Sequence, residues 1–210
     1  MRFLLLAAVL PNLLLGSAGE LRLTTGPISI NGTENEPEEA KIFRIEAGRT
    51  IETMASRAEY DLDDERNALR LGPGVKLTAS SFDENAVALG VEGGAAIVEL
   101  RKKDKGQSVT VDCGGVTVTM EKAGVYRLDC AGEPRLRVYK GKAVAGGSTL
   151  GSGQEVMLAG GAAAKFSTKG RDKDEFQLWH DERSELLEIE RISSRKKTFG
   201  DVAPPGSGNW

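Results

Sequence analysis

The sequence predicts an all-β fold, a sandwich, β-roll or jelly-roll-type arrangement of many short strands, followed by one C-terminal amphipathic helix. Three observations carry that expectation. Runs with strand character recur from Ile42 onward, most of them about four to seven residues long and separated by Gly, Pro, Asp or Lys clusters. Glycine reaches 26 of 210 residues while aromatics make up only 5%, a balance that suits tight turns, since each interior Gly would cost a helix about 1 kcal/mol. The apolar period changes once, at residue 172.

Residues 1–18, "MRFLLLAAVLPNLLLGSA", read as a signal peptide. Arg2 is the basic start, Phe3 to Leu15 the apolar stretch, and Gly16-Ser17-Ala18 the small-residue cleavage site, with the cut expected after Ala18. A membrane span needs about 20 apolar residues, and Pro11-Asn12 interrupts this run. No cysteine lies near the cut, so no lipid anchor is expected, and no later window is apolar enough to span a bilayer. The expected product is periplasmic or secreted, with no transmembrane segment after signal removal.

Residues 19–41 are expected to form a polar N-terminal segment, because "GTENEPEEAK" (32–41) is acidic and broken by Pro37, as in a solvated linker. The β domain is placed at 42–170. Its strand candidates run "KIFRIE", "TIETMA", "AEYDLD", "ALRLG", "VKLTAS", "AVALGVE", "AAIVEL", "SVTVDC", "VTVTM", "VYRLDC", "RLRVYKG", "QEVMLA" and "AKFST". Parity is clearest in the middle. Val109, Val111 and Cys113 share one face, as do Val116, Val118 and Met120, then Tyr126, Leu128 and Cys130; a slip of one residue would bury the intervening charges.

Cys113 and Cys130 leave two alternatives open, a disulfide or two buried thiols. In a flat meander of residues 107–113, 116–121 and 125–130 they would sit on the outer strands, about 9 to 10 Å apart at a strand spacing of about 4.8 Å. A bridge tolerates roughly 7 Å. Only a fold-back at Gly114-Gly115, or pairing of 107–113 with another strand, would join them.

From Asp172 the spacing turns helical. Phe176, Trp179, Leu186, Leu187 and Ile189 approximate a stripe, Asp172 or Asp174 can cap its start, and the helix is placed at 171–194. Phe176 and Trp179 are expected either to dock the helix or to form a partner-binding face. Residues 195–210 read as a flexible tail, and Trp210 has no expected partner.

The chemistry is sparse. A nucleophilic triad needs an imidazole held on its nucleophile, and the one histidine, His180, lies on the helix, where a solvated position is expected. One His and two Cys fall short of a zinc ligand set, and "DLDDE" (61–65) lacks the glycine and terminal glutamate of a helix-loop-helix calcium loop. "GKA" (141–143) has Leu136 and Ala143 where a phosphate loop needs Gly and Ser or Thr, and "GSGQEV" (151–156) reads as a turn. Carboxylate neighbours such as Asp63-Asp64 in a polar loop do not amount to a glycosidase pair. No catalytic residue, metal or cofactor is expected, and a net charge of −3 gives no field that would recruit nucleic acid. Arg127, Arg135 and Arg137 with Tyr139 form the candidate binding face, a basic stripe suited to an acidic glycan or a partner protein, with Asp129 and Glu133 beside it.

"LRLGPGVKLTASSFDENAVALGVEGGAAIVEL" (69–100), then "VTVDCGGVTVTMEKAGVYRLDC" and "RLRVYKGKAVAGG", resembles the FecR domain family in the order of its motifs. Gly153-Gln154 matches a Gly-Gln turn, and "DEFQLWHDERSELL" (174–187) matches a following aromatic, Trp and Arg-Ser segment. The resemblance covers roughly residues 45 to 190. It implies a periplasmic or secreted FecR-like β domain without catalytic residues, of a kind that in founding members senses an outer-membrane receptor and controls an anti-sigma signal. Those members carry a cytoplasmic helical segment and a transmembrane helix first. Here a leader comes first, so no direct hold on a sigma factor is expected. The expected function is binding of an envelope protein or glycan in sensing or regulation. The alternative is a structural envelope module that self-associates through β edges or the C-terminal helix, the oligomeric state being open.

Overall fold

The computed structural model describes residues 19–41, 43–63, 67–83, 85–166 and 173–200, with side chains to 193. The expected leader (1–18) and Trp210 lie outside the described residues. Two units are distinguished, one ending at Phe166 and one beginning at Ser167, and each is taken by itself.

The first unit opens with β1 (Gly19–Thr24), β2 (Ile28–Ile30) and β3 (Thr33–Asn35), the short helix α1 (Pro37–Ala40), then β4 (Arg44–Ile45), β5 (Thr50–Glu52) and β6 (Ala58–Asp61). Next come β7 (Ala68–Leu71), β8 (Lys76–Phe82), β9 (Ala86–Glu92), β10 (Ala95–Leu100), β11 (Ser108–Cys113) and β12 (Val116–Met120). It closes with β13 (Gly124–Asp129), β14 (Arg135–Lys140), β15 (Lys142–Ala145), β16 (Ser148–Gly151), β17 (Gln154–Met157) and β18 (Ala164–Lys165). Two nine-stranded sheets result. The first runs β18-β17-β14-β13-β10-β7-β6-β1-β4 and the second β16-β15-β12-β11-β9-β8-β5-β2-β3. The fold is the expected all-β sandwich followed by a helix.

After β5 the order within each sheet is the order of the sequence. Chain segments are laid alternately on the two sheets, β6-β7 on the first, β8-β9 on the second, β10 on the first, β11-β12 on the second, and so on. Because β10 lies in the other sheet, β9 and β11 meet as parallel neighbours, with Val109 beside Val87 and Val111 beside Leu89.

Period-two alternation builds the core. In the first sheet one row reads Ala58, Leu71, Ala96, Leu128, Leu136, Val156 across six strands, and the next begins Tyr60, Leu69, Val98, Tyr126, Val138. The second sheet contributes Ile51, Leu77, Leu89, Val111 and Val118, and both sets join one buried cluster. Fully burying one such side chain contributes about 1.5–3 kcal/mol.

The segment 19–41 is not a polar lead-in. Leu21, Ile28 and Ile30 are buried in the core, and β2 and β3 form a hairpin on Asn31-Gly32, whose φ angles of 51° and 82° are those a two-residue turn of this hand requires. The acidic run becomes α1, held by a reciprocal capping box between Glu36 and Glu39.

The flat three-strand meander is also corrected. β11 and β12 lie in the second sheet, but β13 belongs to the first, so Cys113 and Cys130 approach from opposite layers. They form a disulfide with their Cα atoms 5.5 Å apart. Face-packed sheets stand about 10 Å apart, so the layers converge at this staple.

The second unit contains α2 (Glu175–Gly200), longer than the expected 171–194, with residues 195–200 helical rather than tail. The Asp174 carboxylate accepts the Gln177 N–H at 2.9 Å, which fixes the start.

Candidate functional site

Strands β13, β14 and β15 meet at a buried tyrosine, Tyr126. The Tyr126 hydroxyl donates to the Lys122 carbonyl at 2.5 Å and accepts the Lys142 N–H at 3.1 Å. Two glycines make room: a Cβ on Gly141 would lie 2.2 Å from that hydroxyl, and one on Gly124 only 2.0 Å from the Lys140 carbonyl oxygen. Burial pushes the phenol above its usual pKa, while hydrogen bonds with the Lys142 and Lys122 backbone act in the opposite sense. The glycine and tyrosine of "GVYR" and the glycine of "YKGK" are thus parts of one joint between β13, β14 and β15.

The face of the first sheet opposite the core carries a row of another kind. Glu59, Arg70, Ile97, Arg127, Arg137 and Glu155 are lateral neighbours on six consecutive strands. At one end Arg70, wholly buried, donates from Nε to Glu59 Oε2 at 2.7 Å and from Nη1 to Glu99 Oε2 at 2.8 Å. Arg22 continues the chain of charges to Asp61 at 2.5 Å, and Arg101 reaches Glu99 at 3.1 Å.

At the other end lie the residues singled out from the sequence. Arg127 Nη2 is 2.8 Å from Asp129, Arg137 bridges Asp129 and Glu155 at 3.0 Å each, and Arg135 stands 3.7 Å from Glu155. Tyr139 sets its ring edge-on to Phe166, centroids 5.1 Å apart. The four residues therefore share one sheet face, with Arg127 6% exposed and the guanidiniums engaged by carboxylates. Glu155 is the partner the sequence reading missed. Only the β14–β17 register, which sets Arg137 opposite Glu155, brings it there.

Such a surface is close to neutral and rich in planar donors. It suits recognition by hydrogen-bond geometry more than attraction of bulk charge. Among the described residues no group of three or more His, Cys, Asp or Glu is placed to hold a metal, and no helix is long and apolar enough to cross a membrane.

On α2, Phe176 and Trp179 stack with centroids 5.9 Å apart. The expected single stripe divides: Phe176, Trp179 and Leu187 are buried, whereas Leu186 and Ile189 are exposed together with Leu178 and Ile192. At about 100° per residue, Leu178, Ile189 and Ile192 fall on the side away from Leu187. His180 is buried rather than solvated.

Comparison with known families finds no matching family model, and comparison with curated proteins finds no match. Two solved structures, both of proposed anti-sigma factors from Parabacteroides distasonis, are similar in part. One, solved at 1.65 Å, is 17% identical over 62% of this chain and 63% of that one, with a TM-score of 0.47. The other, solved at 2.50 Å, is 15% identical over 66% of this chain and 59% of that one, with a TM-score of 0.43. This chain spans less than two thirds of the length of either.

Proposed function

We propose that this chain is a non-enzymatic, exported module of the FecR-like kind, which binds a cell-envelope protein or glycan and serves sensing or regulation there. One observation supports it above the rest, the spatial order of the motifs. "LRL" falls in β7, "AIVEL" in β10, "GVYR" in β13 and "RLRVYK" in β14, and these four strands are consecutive neighbours in one sheet, with β17 after the Gly153-Gln154 turn as the fifth. These motifs, scattered over residues 69–157, thus condense into neighbouring strands of one sheet, whose half-buried end carries Arg135, Arg137 and Tyr139.

Co-sedimentation with peptidoglycan sacculi and capture of envelope proteins test the reading, using the wild type and Arg135→Glu/Arg137→Glu. Reversal would set four carboxylates together where two guanidiniums now engage Asp129 and Glu155. At least tenfold weaker retention is expected. Equal retention of the variant, or turnover in a glycan or ester substrate screen, would refute the proposal.

The second reading, self-association, is favoured by exposed Leu178, Leu186, Ile189 and Ile192 on α2. Light scattering of the purified chain distinguishes it: a dimer that Leu178→Glu/Ile189→Glu converts to monomer would support assembly through the helix.

A further inference from the structure

The far end of the charged row on the first sheet also holds two aromatic rings. Arg137 lies opposite Glu155, and Glu155 opposite Ala164, so β14, β17 and β18 continue one lattice. One step along, the Gly153 N–H donates to the Val138 carbonyl at 2.7 Å, and the Gly153 carbonyl accepts the Phe166 N–H at 3.0 Å. Glycine therefore stands between the strand that carries Tyr139 and the residue Phe166. A Cβ placed on it would meet nothing within 4 Å. The rings of Tyr139 and Phe166 approach each other here, with centroids 5.1 Å apart and planes at 83°.

The backbone and the neighbouring charges single out the same corner. Val125 pairs with Lys140 and Tyr126 with Val138, which makes Tyr139 the extra residue of a β-bulge, a device that re-aims a side chain. Both rings are half-buried rather than sealed in the core. Beside them the guanidiniums of Arg127, Arg135 and Arg137 meet the carboxylates of Asp129 and Glu155. Arg137 donates from Nε to Glu155 and from Nη1 to Asp129, each at 3.0 Å. These charged groups stand on paired strands, which hold them in place before any ligand arrives.

We propose that this corner is a subsite for a neutral glycan built of pyranose rings with equatorial hydroxyls. Such a ring carries C–H groups on its flat faces and hydroxyls around its rim. Tyr139 and Phe166, set nearly at right angles, give it a floor and a wall. The rim hydroxyls, each both donor and acceptor, match Nη2 of Arg137 and the carboxylate oxygens of Glu155. Because the fixed charges already offset one another, a charged ligand gains little here. Two rings and a few planar groups also fall well short of the roughly 800 Å² that each partner of a standard protein interface covers. The inference rests on the envelope-binding reading and narrows its ligand to an uncharged sugar chain.

The purified chain, its disulfide intact, is titrated calorimetrically with chitotetraose and cellotetraose as neutral probes and polygalacturonate as the acidic one. At least one neutral tetramer is expected to bind, with an affinity that changes less than about twofold between low and high salt. Tyr139→Leu and Phe166→Leu are each expected to weaken it about tenfold, and Tyr139→Phe, which keeps the ring, far less. Binding of polygalacturonate alone, or of captured envelope proteins alone, overturns the inference while leaving the wider reading standing. Retention of no sugar and no envelope protein sinks both. A Tyr139→Phe protein as weak as Tyr139→Leu overturns the stacking. Circular-dichroism melts establish that the Leu variants fold, and if one does not, the other and the salt response of the wild type decide.

Discussion

Replacing Arg70 with Met probes the charged row at its most buried point. Arg70 and Glu59 both have fully buried side chains, and Glu99 is 10% exposed at its side chain. Met fills much of the volume but removes the cation that holds Glu59 at 2.7 Å, while Arg22 stands farther off, at 3.8 Å. Removing one partner of a buried pair leaves an uncompensated charge and costs about 3–5 kcal/mol. At about 2–4 °C per kcal/mol for a chain of this size, the melting temperature should fall by about 6–20 °C. Removing the whole device should cost far less, because desolvation of the ions is then avoided too: Glu59→Leu/Arg70→Met/Glu99→Leu is expected within about 2 kcal/mol of the wild type or above it. Circular-dichroism melts at neutral pH, on protein with its disulfide intact, give both numbers. A single variant within 1 kcal/mol of the wild type, by the same conversion, would refute the argument, as would a triple variant no better than the single one.

Tyr126→Phe should lose about 1–3 kcal/mol because it strands the Lys142 N–H and Lys122 carbonyl, whereas Tyr60→Phe should be neutral or stabilising. The Tyr60 hydroxyl is buried with no hydrogen-bond partner among the described residues; denaturant titration of the two variants separates the cases. Burial raises the pKa of both phenols in the folded chain. Their contribution is therefore full below the unfolded value of about 10 and is lost as pH rises beyond it, so the double Phe variant should show a shallower alkaline decline in melting temperature. Cys113→Ser/Cys130→Ser should cost about 3 kcal/mol, or about 6–12 °C, and alkylation with mass analysis should find no free thiol in the wild type. Gly124→Ala, forced against the Lys140 carbonyl, should cost about 1–3 kcal/mol in the same melts.

Much of the sandwich was legible because side-chain parity is a local signal. Val109, Val111 and Cys113, or Tyr126 and Leu128, name their buried face whatever sheet they join. Which sheet they join is a long-range fact, so β13 was drawn beside β12 when it crosses to the other layer. The hairpin of β2 and β3 is signalled locally too, since Asn31-Gly32 between Ile28-Ser29-Ile30 and Thr33 is a strong two-residue turn signal, but the acidic run after it carries the opposite, linker-like signal. Arg70 shows the other limit. Alternation in "ALRL" separates its two faces correctly, yet it says nothing of whether the second face meets water, and there the side chain is 0% exposed. The candidate face was half legible. Arg127, Arg135 and Arg137 announce themselves by spacing, while Glu155, the carboxylate that engages two of them, is placed only by strand pairing.

The alternate laying of segments on two sheets, each advancing in step with the sequence, bears on how such a chain is made. A polypeptide is synthesised from its N-terminus, and from β6 onward every new length finds its docking edge already delivered. Assembly can then proceed like winding yarn on a frame, each strand closing onto an edge already in place. A chain built this way has few reasons to linger half-made with unpaired edges, which invite aggregation.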